Sequence, residues 1–186
     1  FVVNGDVRSG HDVHAALNRA ILDEDPDFVV MTGDLVAAGS DDGDWERYFA
    51  IAQTLIGGVA VYPAPGNHEY YRMNRGRPKF FDYFRASPKA SVTPTGWASF
   101  EQGGVRFLAL DSNEYRTAAH LDWLKGELEK AKARRQPVFV YSHEGPYATG
   151  LHGDNGFAIA NYVPLYEKYG VAMIMYGHDH HYERGR

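Results

Sequence analysis

Cysteine is absent from all 186 residues, which removes disulfides and thiolate metal sites and leaves only nitrogen and oxygen donors for metal chemistry. A basic surplus is missing as well. The chain has 19 Lys and Arg against 24 Asp and Glu, a formal net charge of -5. Nucleic-acid polymers and anionic membrane surfaces both need a basic patch, so neither is an expected partner. The one basic run, Lys132 to Arg135, reads as the solvated last turn of a helix. No stretch reaches the roughly 18 apolar residues of a spanning helix, and no signal-peptide pattern is visible. Internal repeats and low-complexity linkers are lacking too. The compartment stays open. Residue 1 is a Phe already inside an apolar strand, so sequence upstream of it is expected.

What is present is a chain able to bury a sizeable core. With 44% hydrophobic and 14% aromatic residues, 1–186 reads as a single domain. Phe1 to Val3 reads as a short buried strand, and Phe28 to Met31, Val59 to Tyr62, Val138 to Tyr141 and Val171 to Met175 read as further strands. Trp97 to Phe100 and Val105 to Leu110, joined through Gly103-Gly104, read as a hairpin. Helices are expected between them. The first presents Val13, Ala16, Leu17, Ala20 and Ile21 on one face, the second runs from Asp42 to Leu55, and a third shows Leu121, Leu124, Leu128 and Ala131. Strands and helices taking turns at this spacing define an α/β class.

The chemistry lies where apolar runs end. Gly5-Asp6, Gly33-Asp34, Gly66-Asn67-His68-Glu69, Ser142-His143 and Gly177-His178-Asp179-His180 each follow a strand. In open α/β sheets ligands collect beyond the carboxyl ends of strands. Asp6, Asp34, Asn67, His143, His178 and His180 supply two carboxylates, one carboxamide and three imidazoles, a set suited to a pair of divalent or trivalent ions. Taken singly, Gly-Asp and Gly-Asn are common turn pairs. Taken together, in this order and strand context, they read as a two-metal hydrolase.

The motifs resemble those of the calcineurin-like metallophosphoesterase superfamily. The final stretch, Gly177-His178-Asp179-His180-His181-Tyr182-Glu183-Arg184 with Tyr169-Gly170-Val171 before it, is most similar to the purple acid phosphatase branch. The resemblance implies a two-sheet β-sandwich flanked by helices, with a dinuclear centre of Fe, Mn or Zn at one sheet edge and further strands beyond the last His pair. Asp34 would bridge the two ions. Asn67, His143 and His178 would complete one site, and Asp6 and His180 would belong to the other. His68 would ligate neither ion and would stabilise or protonate the leaving oxygen. The implied partner is a small-molecule phosphate ester, the implied activity first a phosphomonoesterase. A phosphodiesterase acting on nucleotide-type substrates, or a non-catalytic metal- or phosphate-binding domain, are the alternatives.

Two positions depart from that pattern. Arg8 stands where the wider superfamily has a His two residues after the first Asp, and Ala37 stands where purple phosphatases have a metal-binding Tyr. Arg8 cannot ligate a metal, because a guanidinium stays protonated. It either contacts substrate phosphate or pairs with Asp6 and weakens or replaces the first ion. His11 or His14 is a candidate substitute ligand. Among the remaining residues, Glu69 is expected to hold loop backbone or orient a ligand. His152, Tyr147 and His181 are candidates for a cleft wall, His120 reads as plain surface, and Asp111 reads as turn chemistry.

Overall fold

The architecture comes from a computed structural model that describes residues 1–71, 78–84, 91–92 and 97–185. Eight strands are described: β1 (Val2–Asn4), β2 (Phe28–Met31), β3 (Ala60–Pro63), β4 (Ser91–Val92), β5 (Ala98–Gln102), β6 (Val105–Ala109), β7 (Val138–Tyr141) and β8 (Met173–Met175). Six helices accompany them: α1 (His11–Asp23), α2 (Asp42–Gly58), α3 (Phe80–Tyr83), α4 (Ala118–Ala133), α5 (Gly156–Asn161) and α6 (Val163–Tyr169). One sheet has the order β1-β2-β3, all parallel; the other runs β4-β5-β6-β7-β8, antiparallel through β6 and parallel from β6 to β8. The expected hairpin is β5 and β6, turning at Gly103 and Gly104, both at positive φ.

Residue alternation along β2 explains the layering. Phe28 and Val30 face the second sheet and join Phe100, Phe107, Ala109 and Tyr141 in a core between the sheets. Val29 and Met31 point the other way, onto Trp45, Tyr48, Ala52 and Leu55 of α2. All four β2 residues are buried, as expected for a parallel strand covered on both faces. On the far side of the second sheet Leu108, Val138 and Val140 pack with Leu124, Leu128, Ala158, Tyr162 and Tyr166. The result is the two-sheet sandwich flanked by helices that the motifs implied.

Two readings of the helices are corrected. The buried stripe of α1 is His14, Asn18 and Ile21, while Val13 is 66% exposed and Leu17 37% exposed. Inside, His14 stacks on Tyr48 and the Asn18 side-chain amide donates to the Ile51 carbonyl, while His14 Nε2 and Asn18 Oδ1 are buried without a hydrogen-bond partner. His120 is not surface but fully buried: Thr117 caps α4, and the first turn docks beneath Trp97, Tyr115 and Tyr162, with His120 Nδ1 2.7 Å from the Tyr162 hydroxyl. Residues 72–77, between β3 and α3, lie outside the described residues.

Burial pushes the His120 pKa down from 6.5 to about 3. The unfolded chain therefore binds the extra proton first, so stability present above pH 6.5 is lost as pH falls toward 3. The expected slope is up to about 1.4 kcal/mol per pH unit. His120→Gln should flatten that part of the profile, read as the change in urea-unfolding free energy between about pH 7 and about pH 4.5. An unchanged slope would place the proton uptake elsewhere.

Candidate metal centre

Five loops at the carboxyl ends of β1, β2, β3, β7 and β8 carry the candidate donors, and those after β1, β2 and β8 turn through left-handed backbone. Asp6, Asp34, His178 and His180 all adopt positive φ, at 56°, 54°, 78° and 54°. Left-handed backbone at non-glycine residues costs roughly 1–3 kcal/mol each and collects at functional sites. Here it folds each side chain back over the sheet edge. Gly33, at φ 96°, and Gly66 allow the second and third loops to touch: a Cβ on Gly66 would collide with the Asp34 carboxylate, and one on Gly33 with the Gly66 backbone.

The donor atoms meet. His143 Nε2 lies 3.0 Å from Asn67 Oδ1, 3.3 Å from Asp34 Oδ1 and 3.0 Å from His178 Nδ1. His143 Nδ1 donates to the Thr32 carbonyl at 2.9 Å, which leaves the Nε2 lone pair for a ligand role. Asp34 Oδ1 also accepts the His68 backbone N–H at 3.0 Å, and Asp6 Oδ2 accepts that of His178 at 3.0 Å. Burial and the neighbouring His143 and His152 hold the His178 pKa down to about 4, so that ring is neutral and able to coordinate near neutral pH. One donor each from Asp6, Asp34 and His143 falls within 4.8 Å of the others, and Asp6 Oδ1 is buried with no hydrogen-bond partner. A buried carboxylate oxygen without a donor, facing imidazoles, fits a cation.

His68 stands apart from this set. Its Nδ1 is 2.6 Å from the Ala37 carbonyl, and its Nε2 is 3.9 Å from Asp34 Oδ2. Ala37, read from sequence as a lost ligand, thus orients His68 through its backbone. Neither that carbonyl nor that of Thr32 left any signal in the sequence, since backbone acceptors carry no residue-type signature. Glu69 does hold loop backbone: its buried carboxylate accepts N–H groups from Asp34, Leu35, Val36 and Gly66 at 2.9, 2.9, 3.3 and 2.6 Å. Burial, helped by Asp34, pushes its pKa up to about 7 against the pull of those N–H groups. Asp111 forms the expected turn with Asn113 and also accepts the Tyr70 hydroxyl at 2.5 Å, while the Asn113 amide donates to the Gly66 carbonyl.

His152 joins the centre, its ring 4.0 Å from that of His178. Both line an open cleft of about 490 Å³ with Arg116, Glu144, Asp154 and Tyr176. His181 instead pairs with Glu183, and Tyr147 is exposed. His11 and His14 are not brought to the donors. They border a small cavity of about 10 Å³ with Arg8, Ala37 and Tyr48.

The family model for calcineurin-like phosphoesterases matches residues 1–182. The chain belongs to that family. An uncharacterized Mycobacterium tuberculosis protein, Rv2577, is 31% identical over 93% of this chain and 36% of its own length. Acid phosphatase type 7 of Mus musculus is 23% identical over 85% of the chain and 40% of its own length. The chain thus spans well under half the length of these relatives. Similar proteins also include the bovine cyclic GMP-AMP phosphodiesterase SMPDL3A, 22% identical over 69% of the chain, and an Arabidopsis thaliana protein named "Probable inactive purple acid phosphatase 9", 24% identical over 89%. The solved purple acid phosphatase PPD1 from yellow lupin superposes with a TM-score of 0.76 at 19% identity, over 95% of this chain and 37% of that one. The family and these neighbours imply a dinuclear metal centre.

Tyr48, the tyrosine bordering the cavity beside Ala37, donates its hydroxyl to Met31 Sδ at 3.4 Å, and burial raises its pKa further. It is not poised to become a tyrosinate ligand. Protein loaded with ferric iron should therefore lack the intense visible tyrosinate band of purple phosphatases. A strong charge-transfer absorption would mean that another tyrosine has reached the metal.

Proposed function

We propose that this chain carries the catalytic machinery of a metal-dependent phosphomonoesterase. The observation that carries the reading is the meeting of Asp34, Asn67, His143 and His178 at one sheet edge, with His68 beside them and its Nδ1 engaged elsewhere. Asp34, Asn67, His143 and His178 would hold the second-site ion, with Asp34 also facing the first site and Asp6 and His180 belonging to it. Such ions supply Lewis acidity, lowering the pKa of bound water and polarising the phosphoryl oxygens. The neutral Asn67 keeps the donor set less negative, which preserves that acidity.

His68 is assigned to the leaving group. Its Nδ1 is engaged by the Ala37 carbonyl, which leaves Nε2, 3.9 Å from Asp34 Oδ2, as the nitrogen assigned to donate to the departing oxygen. Arg8 Nη1 contacts Asp34 and His180, while Nε and Nη2 have no partner among the described residues. Those two N–H edges are assigned to phosphate oxygens. Relatives named acid phosphatases support the monoester reading. The cleft of about 490 Å³ beside His178 has room for a second ester arm, and together with the bovine phosphodiesterase it supports diester hydrolysis as the second reading.

Reloading the protein with Mn, Zn, Fe or Co and comparing p-nitrophenyl phosphate with bis-p-nitrophenyl phosphate separates the readings. The monoester is expected to turn over at least roughly tenfold faster. A faster diester reverses the assignment, and no turnover with any metal leaves a binding domain.

Mutagenesis separates the roles. His68→Ala should cost about 10²–10⁴-fold in kcat while leaving bound metal unchanged. Asn67→Ala and His143→Ala should release the second-site ion, read by elemental analysis. Metal lost in step with activity in His68→Ala, or full occupancy in the other two, would invert the assignment.

A further inference from the structure

The donors assigned to the first ion already surround a positive charge. Arg8 Nη1 lies 2.8 Å from His180 Nε2, 3.1 Å from Asp34 Oδ2 and 3.7 Å from Asp6 Oδ1. One nitrogen is thus within 4.0 Å of a donor atom from every residue assigned to that site. A guanidinium N–H can only donate, so at His180 Nε2 it is the ring's lone pair that the Arg8 N–H takes, with Asp6 Oδ1 3.3 Å from the same nitrogen. A metal would need that same lone pair at a bond length of about 2.0–2.1 Å. Guanidinium and ion therefore exclude each other.

The rest of the surroundings agree. Asp6 and Asp34 bring two carboxylates to this point, which demands a cation, and a guanidinium two residues beyond Asp6 is held in reach by the sharp turn at Asp6. Among the described residues no substitute ligand stands on the side of Ala37. His14 is buried and stacked on Tyr48, and the cavity it shares with Arg8 and Ala37, about 10 Å³, holds one water at most. The first site is short of a ligand and already contains a charge, whereas in the second site Asn67 Oδ1, Asp34 Oδ1 and His178 Nδ1 all meet at His143 Nε2, and Arg8 touches that set only at the other Asp34 oxygen, Oδ2.

We propose that Arg8 is the resident cation of the first site, so that this member of a dinuclear family takes up one ion, in the site of Asp34, Asn67, His143 and His178. The inference rests on the ligand assignment made above for that second site. Arg8 then has two duties: Nη1 neutralises Asp6 and Asp34 in place of a metal, and its remaining N–H groups face the substrate phosphate.

The test counts metal rather than turnover. Stripped protein is reloaded with Mn(II), desalted and measured by elemental analysis and electron paramagnetic resonance. The native chain should hold one Mn(II) with the spectrum of an isolated ion. Arg8→His, which supplies the ligand of the wider superfamily, should hold two with a spin-coupled spectrum, a twofold rise in stoichiometry. His180→Ala should stay at one, because in the native chain His180 serves Arg8 rather than a metal. Two ions in the native chain would overturn the proposal. So would one ion in a folded Arg8→His, or loss of the ion in His180→Ala. Should Arg8→His fail to fold, the native count and His180→Ala still decide. Absence of phosphatase activity at any loading would sink the catalytic reading and leave these counts untouched.

Discussion

The centre depends on one buried carboxylate. Glu69 gathers four backbone N–H groups, three from the loop after β2 and one from the loop after β3, and so clamps together the two turns that carry Asp34, Asn67 and His68. Its burial works against ionisation and the N–H groups work for it, which leaves the group poised near neutrality. A side chain that accepts from two separate loops converts their spacing into a fixed distance. Without it the donors of Asp34 and Asn67 would be set only by the ends of β2 and β3, which lie side by side but leave the loops beyond them free.

The clamp acts on a frame that the two sheets supply. β1 and β8 are the edges of different sheets, yet the backbone N–H of His178 reaches Asp6 Oδ2, and His143 beyond β7 is tied to the carbonyl of Thr32 beyond β2. Both contacts cross the sandwich at the same end, so the core of Phe28, Val30, Phe100, Phe107 and Tyr141 holds the sheets at the distance at which the imidazoles meet the carboxylates. The unfavourable backbone of Asp6, Asp34, His178 and His180 is sustained by that packing, and its concentration at these residues marks where folding stability is set against chemistry.

The strands were legible because apolar runs bounded by glycine or proline leave little ambiguity: Phe28 to Met31 and Val138 to Tyr141 lie where the pattern put them. Helix faces were harder to read. On α1 the apolar stripe and the buried stripe differ, because burial follows what the neighbour offers, and Tyr48 and Ile51 offer partners to His14 and Asn18. His120 was misread for the same reason: a histidine in a first helical turn is usually wet, but here Trp97 and Tyr162 from distant segments and the nearby Tyr115 cover it.

By itself the sequence determined the alternation of strands and helices, the donor inventory, and the exclusion of sulfur ligands, since these depend only on residue type and local period. Glycine before Asp34 and Asn67 likewise announced tight turns. Tertiary structure alone decided which donors touch, because contacts between residues as far apart as Arg8 and His180 follow from how two sheets stack and not from any spacing along the chain. It also decided the meaning of the two departures. Ala37 meets His68 through a carbonyl that every residue possesses, and Arg8 lies among Asp6, Asp34 and His180, a position that only the closed sandwich creates.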